Sequence, residues 1–338
     1  MSNLEFEPAF AAHAAINPPP TVPDPKTVFD YRANMNQIIS FFFRDWSVPD
    51  GMIETTHAVK ARDGADVPLF RFQMPAQAEG GKGGAAAVPP QPALIHFHGG
   101  GVVACPADTV CKPNFRRTAA ESGIQIFAPE YRLAPEHPAP TPVEDCYRCV
   151  EWIIDNAAAL NVDPARIIVM GESGGGTLAA GVSLLARDRG LSPPLAGQVL
   201  IYPMLDDRST GRLNPESPWY AMLKMPWATN IDLAWGGYVG EDKRGKPEAD
   251  VSPYAAPARA ETLKGLPPTY IDCGSLDLFR DESMEFAMRC AKDEVAYELH
   301  IYPGLPHGFD MIAPDIPITK NAKDNRYRFM RNTFGLEG

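Results

Sequence analysis

From residue 93 onward the chain repeats one pattern, a short apolar run followed by a stretch of helical spacing. The runs are ALIHFH (93–98), IQIFAPEY (124–131), RIIVMG (166–171), GQVLIYPM (197–204), PTYIDCG (268–274) and AYELHIYP (296–303). Between them lie NFRRTAAESG (114–123), PVEDCYRCVEWIIDNA (142–157) and GGTLAAGVSLLARDRG (175–190). Two more helices are expected over about 281–293 and 319–334. Strands alternating with helices of this length imply parallel βαβ units and a sheet covered on both faces. The fold class is therefore α/β, doubly wound.

Two regions depart from the rhythm. Residues 1–60 carry a Pro-rich lead, INPPPTVPDPK, and then the amphipathic FDYRANMNQIISFFFRDW, whose aromatics exceed what a linker needs. This segment reads as a cap packed onto something else. Residues 205–250 form the second region, with Trp219, Met222, Met225, Trp227 and Trp235 in an irregular helical stretch that reads as cap or pocket wall. VPLFRFQMP (67–75) alternates as a half-buried strand should, and the Gly-, Ala- and Pro-rich stretch after it (76–92) is a surface loop. The division expected is a cap segment over 1–60 and one large catalytic domain over 61–338, with 205–250 contributing to the cap.

Composition narrows the function classes. Asp and Glu number 42 against 31 Lys and Arg, a net charge of -11 that repels phosphate backbones and anionic lipid surfaces. No window approaches the ~20 apolar residues of a membrane span, and MSNLEFEPAF is acidic where a signal peptide starts basic. A soluble, cytoplasmic protein is expected, with neither nucleic acid nor an inserted membrane as partner. The six cysteines, Cys105, Cys111, Cys146, Cys149, Cys273 and Cys290, lack the density and spacing of a disulfide framework. Cys146 and Cys149 have metal-site spacing, but no second Cys/His cluster follows, so they read as the buried face of a helix.

RIIVMGESGGGTLAAGVSLLA holds Gly171, Glu172, Ser173, Gly174 and Gly175 between a strand and a helix, the G-x-S-x-G pattern in its required context. A serine at the tip of a strained strand-to-helix turn exposes its Oγ. A phosphate-binding turn is the rival reading, and it lacks a Lys closing the glycines. A serine hydroxyl needs a base, and the base an orienting carboxylate, downstream if the order is Ser, acid, His. Asp277 and His307 each lie just past the end of a strand, on the edge where open α/β sheets assemble their sites. Asp272 lies within a strand, and Asp281 and Glu282 open a helix whose dipole favours them without catalytic duty. His13 and His57 precede the sheet region, His137 sits in a loop and His300 inside a strand. His96 and His98 make an H-x-H without a third ligand, which argues against a metal.

Gly99, Gly100 and Gly101 follow directly on the ALIHFH run. Glycine is used where backbone must turn oddly or approach another group closely. Backbone amides from this run, joined by that of Gly174, would stabilise the oxyanion formed when Ser173 attacks a carbonyl, with His98 bracing the loop.

With these motifs the chain resembles the hormone-sensitive lipase family of α/β-hydrolases. The likeness covers about residue 92 to the end through HFHGGG, YRLAPEHPAP, GESGGG, LIYPMLDDR, VSPYAAP, LDLFRDE and PHGF, in family order. The resemblance implies a mostly parallel eight-stranded sheet, a helical cap, and cofactor-free hydrolysis of carboxylic esters with rather small acyl groups. It maps Ser173 as nucleophile, Asp277 as acid and His307 as base. Glu172 and Gly174 depart from the commoner Asp and Ala of the family's elbow, LDLF from the commoner D-P-L, and Val102 from the frequent aromatic. The partner so implied is a small-molecule ester; a homodimer stays open. An amidase, peptidase or acyltransferase would use the same triad, whereas the gibberellin receptors that resemble this family lack the histidine that His307 supplies here.

Overall fold

The computed structural model describes residues 4–75, 89–209 and 230–336. Trp219, Met222, Met225, Trp227 and residues 76–88 of the loop lie outside the described residues. In chain order the strands are β1 (Ile53–Lys60), β2 (Asp66–Gln73), β3 (Gln91–Phe97), β4 (Gln125–Pro129), β5 (Val162–Glu172), β6 (Gly197–Ile201), β7 (Thr269–Gly274) and β8 (Tyr297–Tyr302). They form one eight-stranded sheet in the spatial order β1, β2, β4, β3, β5, β6, β7, β8. β2 runs antiparallel to both neighbours, and every pair from β4 to β8 is parallel. The expected mostly parallel sheet is thus the one observed. β4, β6 and β7 are buried along their whole lengths, which is why their sequences read as continuous apolar runs.

One strand differs from the sequence reading. Residues 53–60, with His57, were expected to precede the sheet, yet they pair with β2 over their full length. Only Val59 of this edge strand is buried. Without a buried face it carries no apolar alternation that could betray it.

The described helices longer than one turn are α1 (Pro8–Ile16), α2 (Val28–Phe43), α3 (Lys112–Ser122), α4 (Thr141–Asp155), α5 (Gly174–Asp188), α6 (Ile231–Val239), α7 (Arg280–Lys292) and α8 (Pro317–Phe334). Helices connecting parallel strands pack on the sheet with right-handed crossovers. The step from β3 to β4 runs one way along the sheet, and the steps β4 to β5, β5 to β6 and β7 to β8 run the other. α3 therefore covers one face, while α4, α5 and α7 cover the opposite one. α2 starts at a capping box in which Thr27 and Asp30 satisfy each other's backbone N–H groups. It buries Tyr31, Met35, Ile38 and Phe42, spaced by three or four residues as an amphipathic face requires. Cys146 and Cys149 are buried on α4 as expected, and all six thiols are free and buried. No described helix is long and apolar enough to cross a membrane.

Candidate active site

β3 hands the chain on towards β4 while its neighbour β5 hands it on towards β6 in the opposite direction. The C-terminal ends of β3 and β5 therefore flank a crevice, the topological switch point where open α/β sheets bind ligands. The Gly99–Gly101 loop leaves β3 there, and Ser173 follows the last residue of β5. The loops after β7 and β8 bring Asp277 and His307 to the same edge.

Ser173 stands at φ +54° and ψ −117°, a backbone region costly for a residue with a Cβ. Its N–H donates to Ile201 O at 3.0 Å, and its own carbonyl accepts from the N–H of Met204 at 3.1 Å. These bonds to β6 and the segment after it hold the strained turn in place. Ser173 Oγ lies 3.0 Å from His307 Nε2, and His307 Nδ1 lies 2.9 Å from Asp277 Oδ2. Asp277 is fully buried, and its second oxygen accepts from the Phe279 N–H at 2.8 Å. Both carboxylate oxygens are thus engaged, as burial of a charge demands. Tyr202 and Phe279 meet the imidazole of His307 edge to face, with centroids 4.8 and 5.1 Å away.

The rival residues go elsewhere. Asp272 takes a bidentate contact from Arg326, at 2.5 and 3.1 Å, and Asp281 pairs with Arg280 on the surface. His300 bonds Glu298, His13 lies against Asn17, and His57 packs tilted against Trp152. Glu282 is not the surface partner of a helix dipole that its position suggests. It is buried, accepts from the Leu205 N–H at 2.6 Å and from the Ser209 hydroxyl, and burial pushes its carboxyl well above the usual range. It fastens α7 to the segment after β6, a contact 77 residues distant in sequence.

The glycine loop meets the serine turn backbone to backbone. Gly100 has φ +105°, and its carbonyl accepts from the N–H groups of Val103 and Ala104 at 3.2 and 3.0 Å. A Cβ on Gly174 would lie 2.7 Å from both Gly101 N and Val102 N, so the loop approaches only because position 174 has no side chain. Gly99 faces Ser173 directly, its missing Cβ 3.7 Å from that of the serine. The N–H groups of Gly100, Gly101 and Gly174 have no acceptor among the described residues. His98 anchors the base of the loop. Its ring stacks on Tyr131 at 4.2 Å, and burial pushes its pKa down to about 4, so at neutral pH it is the uncharged tautomer whose Nδ1–H donates to Gly99 O at 2.8 Å. Tyr131 closes the contact by donating to His98 O at 2.7 Å. His96 turns instead to Glu172, at 2.6 Å, which also accepts from Asn114 at 2.8 Å.

Several residues of the site give no sign in sequence. Arg32 on α2 donates to Val103 O at 2.5 Å and Ala134 O at 2.6 Å while paired with Glu136, and Asn36 accepts from the Cys105 N–H at 2.7 Å. α2 thereby clamps the far side of the glycine loop. Behind His307, Arg326 bridges Asp272 and Asp310, and Asp310 accepts from the Tyr202 hydroxyl at 2.7 Å. This buried chain holds the ring that rests on the imidazole. A cavity of about 960 Å³, its open mouth included, spreads from Ser173 and His307 between Met35, Ile39, Phe43 and Trp46. Trp235 does not line it; that indole is buried beside Tyr238.

A doubly wound sheet with a serine, an imidazole and a buried carboxylate aligned at its switch point defines an α/β-hydrolase. The sequence comparison agrees, with a family profile for the alpha/beta hydrolase fold matching residues 94–311. The chain belongs to that family. It is similar to Esterase LipI of Mycobacterium tuberculosis, 35% identical over 237 residues, 68% of this chain and 69% of the relative. Carboxylesterase NlhH from the same species is 34% identical over 238 residues, covering 68% and 70%. Among solved structures, Bacterial Heroin Esterase superposes with a TM-score of 0.83 at 34% identity, covering 97% of this chain and 98% of that one.

Proposed function

We propose that the chain is a serine carboxylesterase of the hormone-sensitive lipase branch, hydrolysing short- to medium-chain esters through an acyl-enzyme. The observation that carries the reading is the continuous relay of 3.0 and 2.9 Å from Ser173 through His307 to buried Asp277. Ser173 Oγ attacks the ester carbonyl as His307 Nε2 takes its proton, and Asp277 stabilises the imidazolium. The oxyanion is held by amides of the glycine loop and the elbow, drawn from Gly99, Gly100, Gly101 and Gly174. Donors fixed before the reaction need no reorganisation as charge develops. His307 then protonates the departing alcohol, and water, activated by the same imidazole, releases the acid. The names of the similar proteins, esterases, support this class of substrate.

The chain-length preference rests on the cap. α2 packs against α6 and the glycine loop, and Phe43 and Trp46 wall the cavity. The segment before β1, with α6, therefore acts as a cap that encloses a modest acyl chain rather than offering a broad lipid-binding face. The test is Ser173→Ala, which should fold yet show neither ester turnover nor labelling by a fluorophosphonate, together with an ester chain-length series. Wild-type rates in folded His307→Ala or Asp277→Asn would overturn the role assignment. Faster turnover of an emulsified long-chain triglyceride than of a dissolved butyrate ester would overturn the chain-length preference.

A further inference from the structure

The lining of the active-site cavity is of two kinds. Met35, Ile39 and Phe43 offer the apolar surface that a hydrocarbon chain needs. α3 and α8 contribute a different set: Thr118, Glu121, Lys323 and Tyr327. Glu121 is the most heavily used of these, accepting from Arg117 Nε at 2.6 Å, from the Tyr327 hydroxyl at 2.8 Å and from Lys323 Nζ at 3.2 Å. Lys323 makes the longest of the three contacts, with a carboxylate already served twice.

An ammonium carries three N–H donors; Lys323 Nζ stands 3.2 Å from both Glu121 oxygens and 6.0 Å from the Trp46 ring centroid, which leaves at least one donor for a guest. The Lys323 side chain keeps only 12% of its exposure and borders the cavity. Burial pushes its pKa down, against the pull of Glu121 and Asp310. Arg117 and Lys323 are matched by Glu121 and Asp315, and Arg326 by Asp272 and Asp310, so no net positive charge is left over here. An anionic guest would lose its hydration without meeting a net positive field, whereas a neutral oxygen loses less and still accepts a charge-assisted hydrogen bond.

We propose that Lys323 is a specificity-determining residue whose ammonium hydrogen-bonds a neutral oxygen, a ketone, ether or hydroxyl, carried by the substrate away from the ester group. The inference rests on the carboxylesterase reading above and deepens it: the preferred esters are oxygenated along the chain, not plain alkanoates. A hydrogen bond to a charged group corresponds to roughly tenfold to a hundredfold in kcat/KM.

The test compares matched chromogenic esters, an octanoate and the same chain with a ketone at its penultimate carbon. A second pair, acetates of an alkyl alcohol and of its terminal diol, probes the alcohol half. In wild type, at least one oxygenated member should exceed its plain partner by that factor. Lys323→Met should bring the ratio to one or below, lowering the oxygenated member and raising the plain one, while Lys323→Arg should keep the preference. A ratio near one in both wild-type pairs overturns the proposal, as does a preference that survives in folded Lys323→Met. A lysine that only ties α3 to α8 would lower Tm on substitution and leave the ratio unmoved. Absence of turnover with every ester would refute the carboxylesterase reading itself, a result that plain esters alone reveal.

Discussion

Gly100→Ala separates an oxyanion loop from an idle turn. The new Cβ would stand 2.4 Å from Ala104 O and 2.8 Å from Ala104 C, at a φ of +105°. Neither neighbour is a flexible side-chain end, so the backbone itself must move by about 0.6 to 1 Å, and a shift of about 1 Å near a reacting centre can cost roughly a hundredfold. Loss of one oxyanion donor costs about 2.7–4 kcal/mol in the transition state, a similar or greater factor. kcat should therefore fall about a hundredfold while KM changes little, because the donors act on the charged intermediate. Gly99→Ala is the internal control. Its Cβ meets Glu172 O at 3.1 Å without a positive φ, so a few tenths of an ångström suffice and the loss should stay within about tenfold. The assay is kcat per active site, titrated with a fluorophosphonate, beside a thermal melt of each variant. An unchanged kcat in folded Gly100→Ala, or a larger loss in Gly99→Ala, would refute the reasoning.

Three further outcomes are expected. Burial holds His98 at a pKa of about 4 against 6.5 in the unfolded chain, so the unfolded state alone binds this proton between those values. Its contribution is full above pH 6.5 and fades as pH falls towards 4, by about 3 kcal/mol, and urea midpoints across this window should slope less in His98→Asn than in wild type. Arg32→Met removes charge-assisted bonds to Val103 O and Ala134 O, each type worth about 1.5–3 kcal/mol. It should lower both Tm and kcat, and a normal kcat in the folded variant would show that α2 does not brace the glycine loop. Tyr202→Phe keeps the ring on His307 and orphans Asp310 Oδ1, so Tm should fall with kcat within about fivefold. Tyr202→Leu removes the edge contact as well, and a kcat no lower than that of Tyr202→Phe would deny the ring a positioning role.

Local pattern along the chain encodes part of this architecture. Buried parallel strands must be apolar throughout, so β3 to β7 and their helices stand out, and the polar edge strand β1 does not. Ser173, Asp277 and His307 were legible for the same reason: each sits where a recognisable strand ends, and the ends of parallel strands share an edge. Which groups surround them was decided by the tertiary structure. Arg32 reaches the glycine loop across 71 residues, Lys323 reaches Glu121 across 202, and Glu282 is buried where a helix N-terminus alone suggests exposure. A charged residue on an amphipathic helix looks alike whether it meets water or a partner. Only the packing of distant elements, which sets α3 beside α8 and lays α2 over the glycine loop, tells the two apart.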